Sequence, residues 1–151
     1  MRIGRIANAI VGTVAMLGCD ARPPVLPDAP GTIPGVEARS LAADLERGGA
    51  RVSLDSRIPS PALKELPPVG GARYVVDGER LDVLEYAYPE QAETAARLID
   101  PHGSRIGSVF VEWTGQPHFY RKGRLIVLYV GVNPKMLRRL SGALGPPVAG
   151  R

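Results

Sequence analysis

Apolar and polar positions change rhythm several times along this 151-residue chain, and each change marks an element. Residues 6–17 form an uncharged, mostly apolar run behind Arg2 and Arg5. Residues 20–39, "DARPPVLPDAPGTIPGVEAR", lose all periodicity. Pro23, Pro24, Pro27, Pro30 and Pro34 remove backbone donors and block regular helix, so this stretch reads as an extended spacer. Order resumes at Ser40, a candidate N-cap for the short helix "SLAADLER", which Gly48 and Gly49 stop. "ARVSLD" then alternates as a strand, and residues 56–71 form an irregular connection with one helical turn at 62–66.

The next signal is stronger. "RYVVDGERLDVLEY" sets Asp77-Gly78, a favoured two-residue hairpin turn, between two strand-like runs. Tyr74 and Val76 share a face, and Leu81, Val83 and Glu85 alternate after the turn. "PEQAETAARLID" carries Pro89 in its first turn and Ala92, Ala95, Ala96 and Ile99 at helical spacing, with Pro101 as the stop. "SVFVEWTGQPHFYRKGRLIVLYVG" reads as two or three strands turning near Thr114-Gly115 and Lys122-Gly123. "LIVLYV" is apolar throughout, as a central strand covered on both faces would be. "NPKMLRRLSGALG" predicts a last helix with Asn133 as N-cap, Pro134 at its first position and Gly145 as its end. Tight hairpins and interspersed helices together predict an α+β fold, a mainly antiparallel sheet with two to three helices packed on it.

The apolar run at the amino terminus is about a dozen residues, short of the roughly 20 that cross a bilayer. With two positive charges before it, it has the layout of an export signal. It ends at "LGCD", where Cys19 is the single cysteine of the chain. Here the sequence resembles bacterial lipoprotein precursors, whose signal ends in a lipobox: Gly18-Cys19 matches, while Met16 and Leu17 depart from the usual residues. The resemblance implies removal of residues 1–18, acylation of Cys19 and anchoring in a lipid bilayer on the extracytoplasmic side, in the periplasm or at the cell surface. The expected organisation is a signal peptide over 1–18, a lipidated cysteine and Pro-rich tether over 19–39, and one domain over 40–151. The stretches "IDPHGSRIG", "WTGQPHFYRKGRLIVLYVG" and "LGPPVAGR" also resemble a group of small bacterial lipoproteins without established function, which implies a single compact domain and no catalytic residue.

Charge is polarised along the chain. Residues 20–100 hold 14 acids and 9 bases, and residues 101–151 hold Glu112 alone against 8 bases. Without a nucleic-acid reading motif, the expectation is that the two halves neutralise one another inside one fold, and no nucleic-acid partner is implied.

Candidate chemistry is sparse. The two histidines, His102 and His118, each follow a proline, and no ligand spacing ties them to Asp100 or Glu112 as a metal site. Ser104, Ser108 and these histidines supply hydrolase residue types without a nucleophile elbow. No cofactor is indicated. Trp113, His118 and Tyr120, with Arg121 beside them, concentrate aromatic and basic character in one strand region and form the candidate binding surface. The leading expectation is therefore a membrane-anchored, non-enzymatic module that binds a protein or small molecule. A metal-assisted or Ser/His hydrolase using His102 and His118, and a structural envelope protein, are the alternatives.

Overall fold

The computed structural model of the protein describes residues 35–56 and 61–150. The expected signal segment, Cys19 and the tether up to residue 34 lie outside the described residues.

Helix α1 spans Val36–Arg47, and strand β1 follows at Val52–Ser56. A 3-10 turn at Pro61–Leu63 leads to the hairpin β2 (Gly70–Val76) and β3 (Glu79–Glu85). Helix α2 covers Pro89–Ala96, and a small hairpin joins β4 (Arg105–Ile106) to β5 (Val109–Phe110). Strands β6 (Pro117–Lys122) and β7 (Leu125–Val130) precede helix α3 (Pro134–Leu144). The main sheet has five strands in the order β1-β2-β3-β7-β6, every neighbouring pair antiparallel. The fold is α+β, as the hairpin signals predict.

Two cores lie on opposite faces of this sheet. On one, α1 and α3 bring Leu41, Leu45, Met136 and Leu140 onto Tyr74, Val76, Leu81 and Val83. On the other, α2, the 3-10 turn and the chain around Ile106 cover Leu84, Phe119, Ile126 and Leu128. Strand β7 alternates Leu125, Val127 and Tyr129 into the first core with Ile126 and Leu128 into the second. That double burial is the reason its sequence shows no polar position.

The Asp77-Gly78 turn has φ of 52° and 91°, the doubly positive geometry that Asp-Gly favours, and it closes the hairpin on Val76 opposite Glu79. Helix α1 begins at Val36, ahead of Ser40, whose hydroxyl donates to the Val36 carbonyl at 2.9 Å inside the helix. The start moves because the acceptor for the first N–H groups comes from β3: Glu85 takes the Ala38 N–H at 2.9 Å. Last, the β6 edge is covered by the C-terminal segment, where the Phe119 N–H donates to Ala149 at 3.0 Å and Val148 donates to Phe119 at 2.7 Å.

The charge asymmetry resolves as ion pairs between the halves. Arg124 holds Glu37 at 2.8 Å and Glu85 at 3.1 Å. Asp77 is held by Arg139 at 2.6 Å and by Lys135 at 3.4 Å. Acids from the first half thus meet bases from the second within one domain.

Candidate functional site

The hairpin turn dictates which side chains meet on the sheet. With Asp77-Gly78 as the loop, Arg73 falls opposite Asp82, and Val75 opposite Arg80. These four lie on the face away from α1 and α3, since Tyr74, Val76, Leu81 and Val83 occupy the helix-covered face. Toward β6, the same face is buried under α2. Toward β2 it is more open, and a cleft of about 380 Å³ forms there. That volume lies within the roughly 300–1,000 Å³ range of small-molecule sites. Of two further concavities beside α1 and α3, one of about 260 Å³ near the β6–β7 turn falls below that range; the other, about 480 Å³ along Asp44, Leu45, Arg139 and Ala143, lies within it but has no aromatic wall.

The floor of the cleft is the Arg73–Asp82 pair, at 3.0 Å, with side-chain exposures of 22% and 11%. Such shielding makes the bond more than a surface ion pair and fixes both groups in place. Leu128 and Val130 form an apolar wall, and Trp113 closes one end. The indole N–H donates to the Gly103 carbonyl at 2.6 Å, and the ring meets Phe119 edge-on at 5.9 Å. With its donor already engaged, the indole offers the cleft an apolar surface and no hydrogen bond. Arg80 and Glu112 stand exposed at the rim, and Arg80 has no ion-pair partner among the described residues. Chemically, the cleft pairs an apolar aromatic wall with a rim guanidinium and a rim carboxylate, Arg80 and Glu112, and the guanidinium can orient an amphiphile by an anionic end.

The four residues of the expected binding surface are divided by the fold. Trp113 lines this cleft. His118 and Tyr120 alternate onto the other face. His118 is 7% exposed and stacks on Tyr129 at 6.1 Å, and Tyr120, 1% exposed, belongs to the α1/α3 core. Arg121 is half-buried and pairs across the ladder with Ile126. These side chains therefore share no single exposed patch. The division has a simple cause: β6 is paired with β7 on one edge, and both its faces are covered.

The histidines are separated in the same way. His102 is exposed on the loop whose Gly103 abuts Pro117 and Phe119, whereas the His118 ring lies on the opposite face with Tyr129. Asp100 accepts the backbone N–H groups of Arg105 at 2.8 Å and His102 at 3.4 Å, and the Ser104 hydroxyl at 3.3 Å. Its carboxylate therefore organises the loop backbone and does not orient an imidazole. No group of three or more potential metal-ligating side chains is present among the described residues. No described helix is long and apolar enough to cross a membrane.

Arg73, Arg80 and Asp82 escaped the reading of motifs, yet the signal for them was present. Once Asp77-Gly78 is the turn, counting outward pairs 73 with 82 and 75 with 80. Comparison with protein-family models, with curated proteins and with solved structures finds no match to this chain.

Proposed function

We propose that the protein is a membrane-tethered, non-enzymatic binding domain working on the extracytoplasmic side, with the cleft beneath Trp113 as its ligand site. The anchor in this reading is an acylated Cys19, supported by the charged start, the short apolar run, the Gly18-Cys19 junction and the prolines that follow. The observation that carries the binding role is the cleft itself: an aromatic and aliphatic wall facing Arg80, above a locked Arg73–Asp82 floor. The ligand class that fits is a small amphiphile with a carboxylate or similar anionic end and a short apolar body. Arg80 meets the charge, and Trp113, Leu128 and Val130 take the apolar part.

The membrane half of the proposal is tested by fractionation. The wild-type chain should partition with membranes and label with a fatty-acid analogue, and Cys19→Ala should abolish the label and release the protein. Unchanged retention of the unlabelled Cys19→Ala variant would remove the lipid anchor from the account.

A further inference from the structure

The two edges of the main sheet are treated differently. The C-terminal segment covers β6, but no described residue pairs with the outer edge of β1. We propose that this edge is a self-association surface, and that a second copy of the chain pairs with it antiparallel about a two-fold axis at Ser53.

Backbone direction supplies the first support. The Asp77 N–H donates to the Arg51 carbonyl at 2.9 Å, so Arg51 points its backbone inward, toward β2. Alternation then turns the N–H and C=O groups of Val52 and Leu54 outward. A pairing centred on Ser53 sets Val52 opposite the partner's Leu54, and Leu54 opposite the partner's Val52. Every outward group of this segment then gains a partner, with Ser53 facing its own copy as a non-hydrogen-bonded pair.

Side chains agree with the same register. Val52 packs at the margin of the α1/α3 core, and Leu54, which faces the same side, is 44% exposed. Each leucine would cover the other copy's valine and extend that core across the junction. One further step out, Arg51 falls opposite the partner's Asp55. Both are exposed, and neither forms an ion pair among the described residues. The edge is thus complementary to itself in apolar contact and in charge.

The bulge at Asp55 ends the backbone pairing at Leu54, so the Arg51–Asp55 contact across the junction is one of exposed side chains flanking the paired segment. Register with β2 shifts between Leu54 and Ser56, so the straight part of the edge is short and the Ser53-centred alignment uses it fully. The chain's own tether is a poor competitor, because Pro23, Pro24, Pro27, Pro30 and Pro34 cannot donate to a ladder. A two-fold axis normal to the sheet also leaves both α1 helices on one side, so both chains enter their domains from the same direction.

The test is register-specific cross-linking in the full chain carrying Cys19→Ala, which has no other thiol. Ser53→Cys should form a disulfide-linked dimer under mild oxidation, since Cα atoms in such a pair lie about 4.5 Å apart, within disulfide reach. Ser108→Cys, exposed elsewhere, should stay monomeric. Charge exchange checks the register without a cross-link: Arg51→Asp or Asp55→Arg should each weaken dimerisation about tenfold, and the double exchange should restore it. Equal cross-linking at both cysteines, or a double exchange as weak as either single, overturns the proposal. So would a chain that dimerises only after residues 20–34 are deleted, which would make the tether the occupant of the edge.

Discussion

The carboxylate of Glu85, at the end of β3, accepts the Ala38 N–H at 2.9 Å and so caps a helix 47 residues earlier in the chain. The same carboxylate takes Arg124 Nη2 at 3.1 Å, and Glu37 receives the Arg124 Nε at 2.8 Å. Gly35 precedes the helix because a Cβ there would collide with the Glu85 side chain. A charged residue thus occupies a core-facing strand position, satisfied from two directions: the positive end of α1 and a guanidinium.

Removing that carboxylate should loosen the start of the domain. Glu85→Ala strands the first N–H groups of α1 and leaves Arg124 with Glu37 alone, and the expected loss is about 3 kcal/mol. Glu85→Gln keeps an acceptor and should lose about half as much. Urea unfolding checks both values, and hydrogen exchange at Ala38 shows whether the loss is centred on α1.

Asp77 predicts an acid limb to stability. Its carboxyl is held down to about 2, first by the Arg51 N–H and then by Arg139. A depressed folded value means that the carboxylate favours the native state above its unfolded value of about 3.9. That contribution should fall away as pH drops from about 4 through about 2. Asp77→Asn, which tolerates the positive φ of the turn, should flatten the stability profile over that window. An unchanged profile would show that the Asp77 carboxylate is not linked to folding.

Tyr129 predicts the opposite limb. Burial, and then its bond to Glu79, push the phenol up to about 12. A raised folded value favours the neutral phenol, so its contribution is full below about pH 10 and is lost as pH rises toward 12. Tyr129→Phe removes the bond to Glu79 and the 3.2 Å bond from the Asn133 N–H at the start of α3. The expected cost is about 1–2 kcal/mol at pH 7, read by thermal unfolding.

Much of this architecture is legible from local pattern. The Asp-Gly turn, the Asn133-Pro134 cap and the apolar run of β7 each carry a mechanism that acts within a few residues, and each element forms where that mechanism puts it. The start of α1 was not legible, because its cap is Glu85, far away in sequence. The binding surface was only partly so. Strand alternation puts His118 and Tyr120 on one face, but nothing local says that helices cover it. Trp113 reaches the cleft through a loop whose path depends on Gly103 and Phe119. The guanidiniums of the cleft were accessible by counting from the hairpin turn, a step that motif reading passes over.

The ligand cleft is tested most directly by the emission of Trp113, the single tryptophan of the chain. Titration of the detergent-purified protein with hexanoate should shift that emission to a plateau, with hexanol at equal concentration giving little change. Arg80→Ala should weaken the hexanoate response about tenfold, the loss of one charge-assisted bond. A response that never saturates, or one that is the same for hexanoate and hexanol and indifferent to Arg80, would contradict the assignment of this cleft as an anion-oriented binding site.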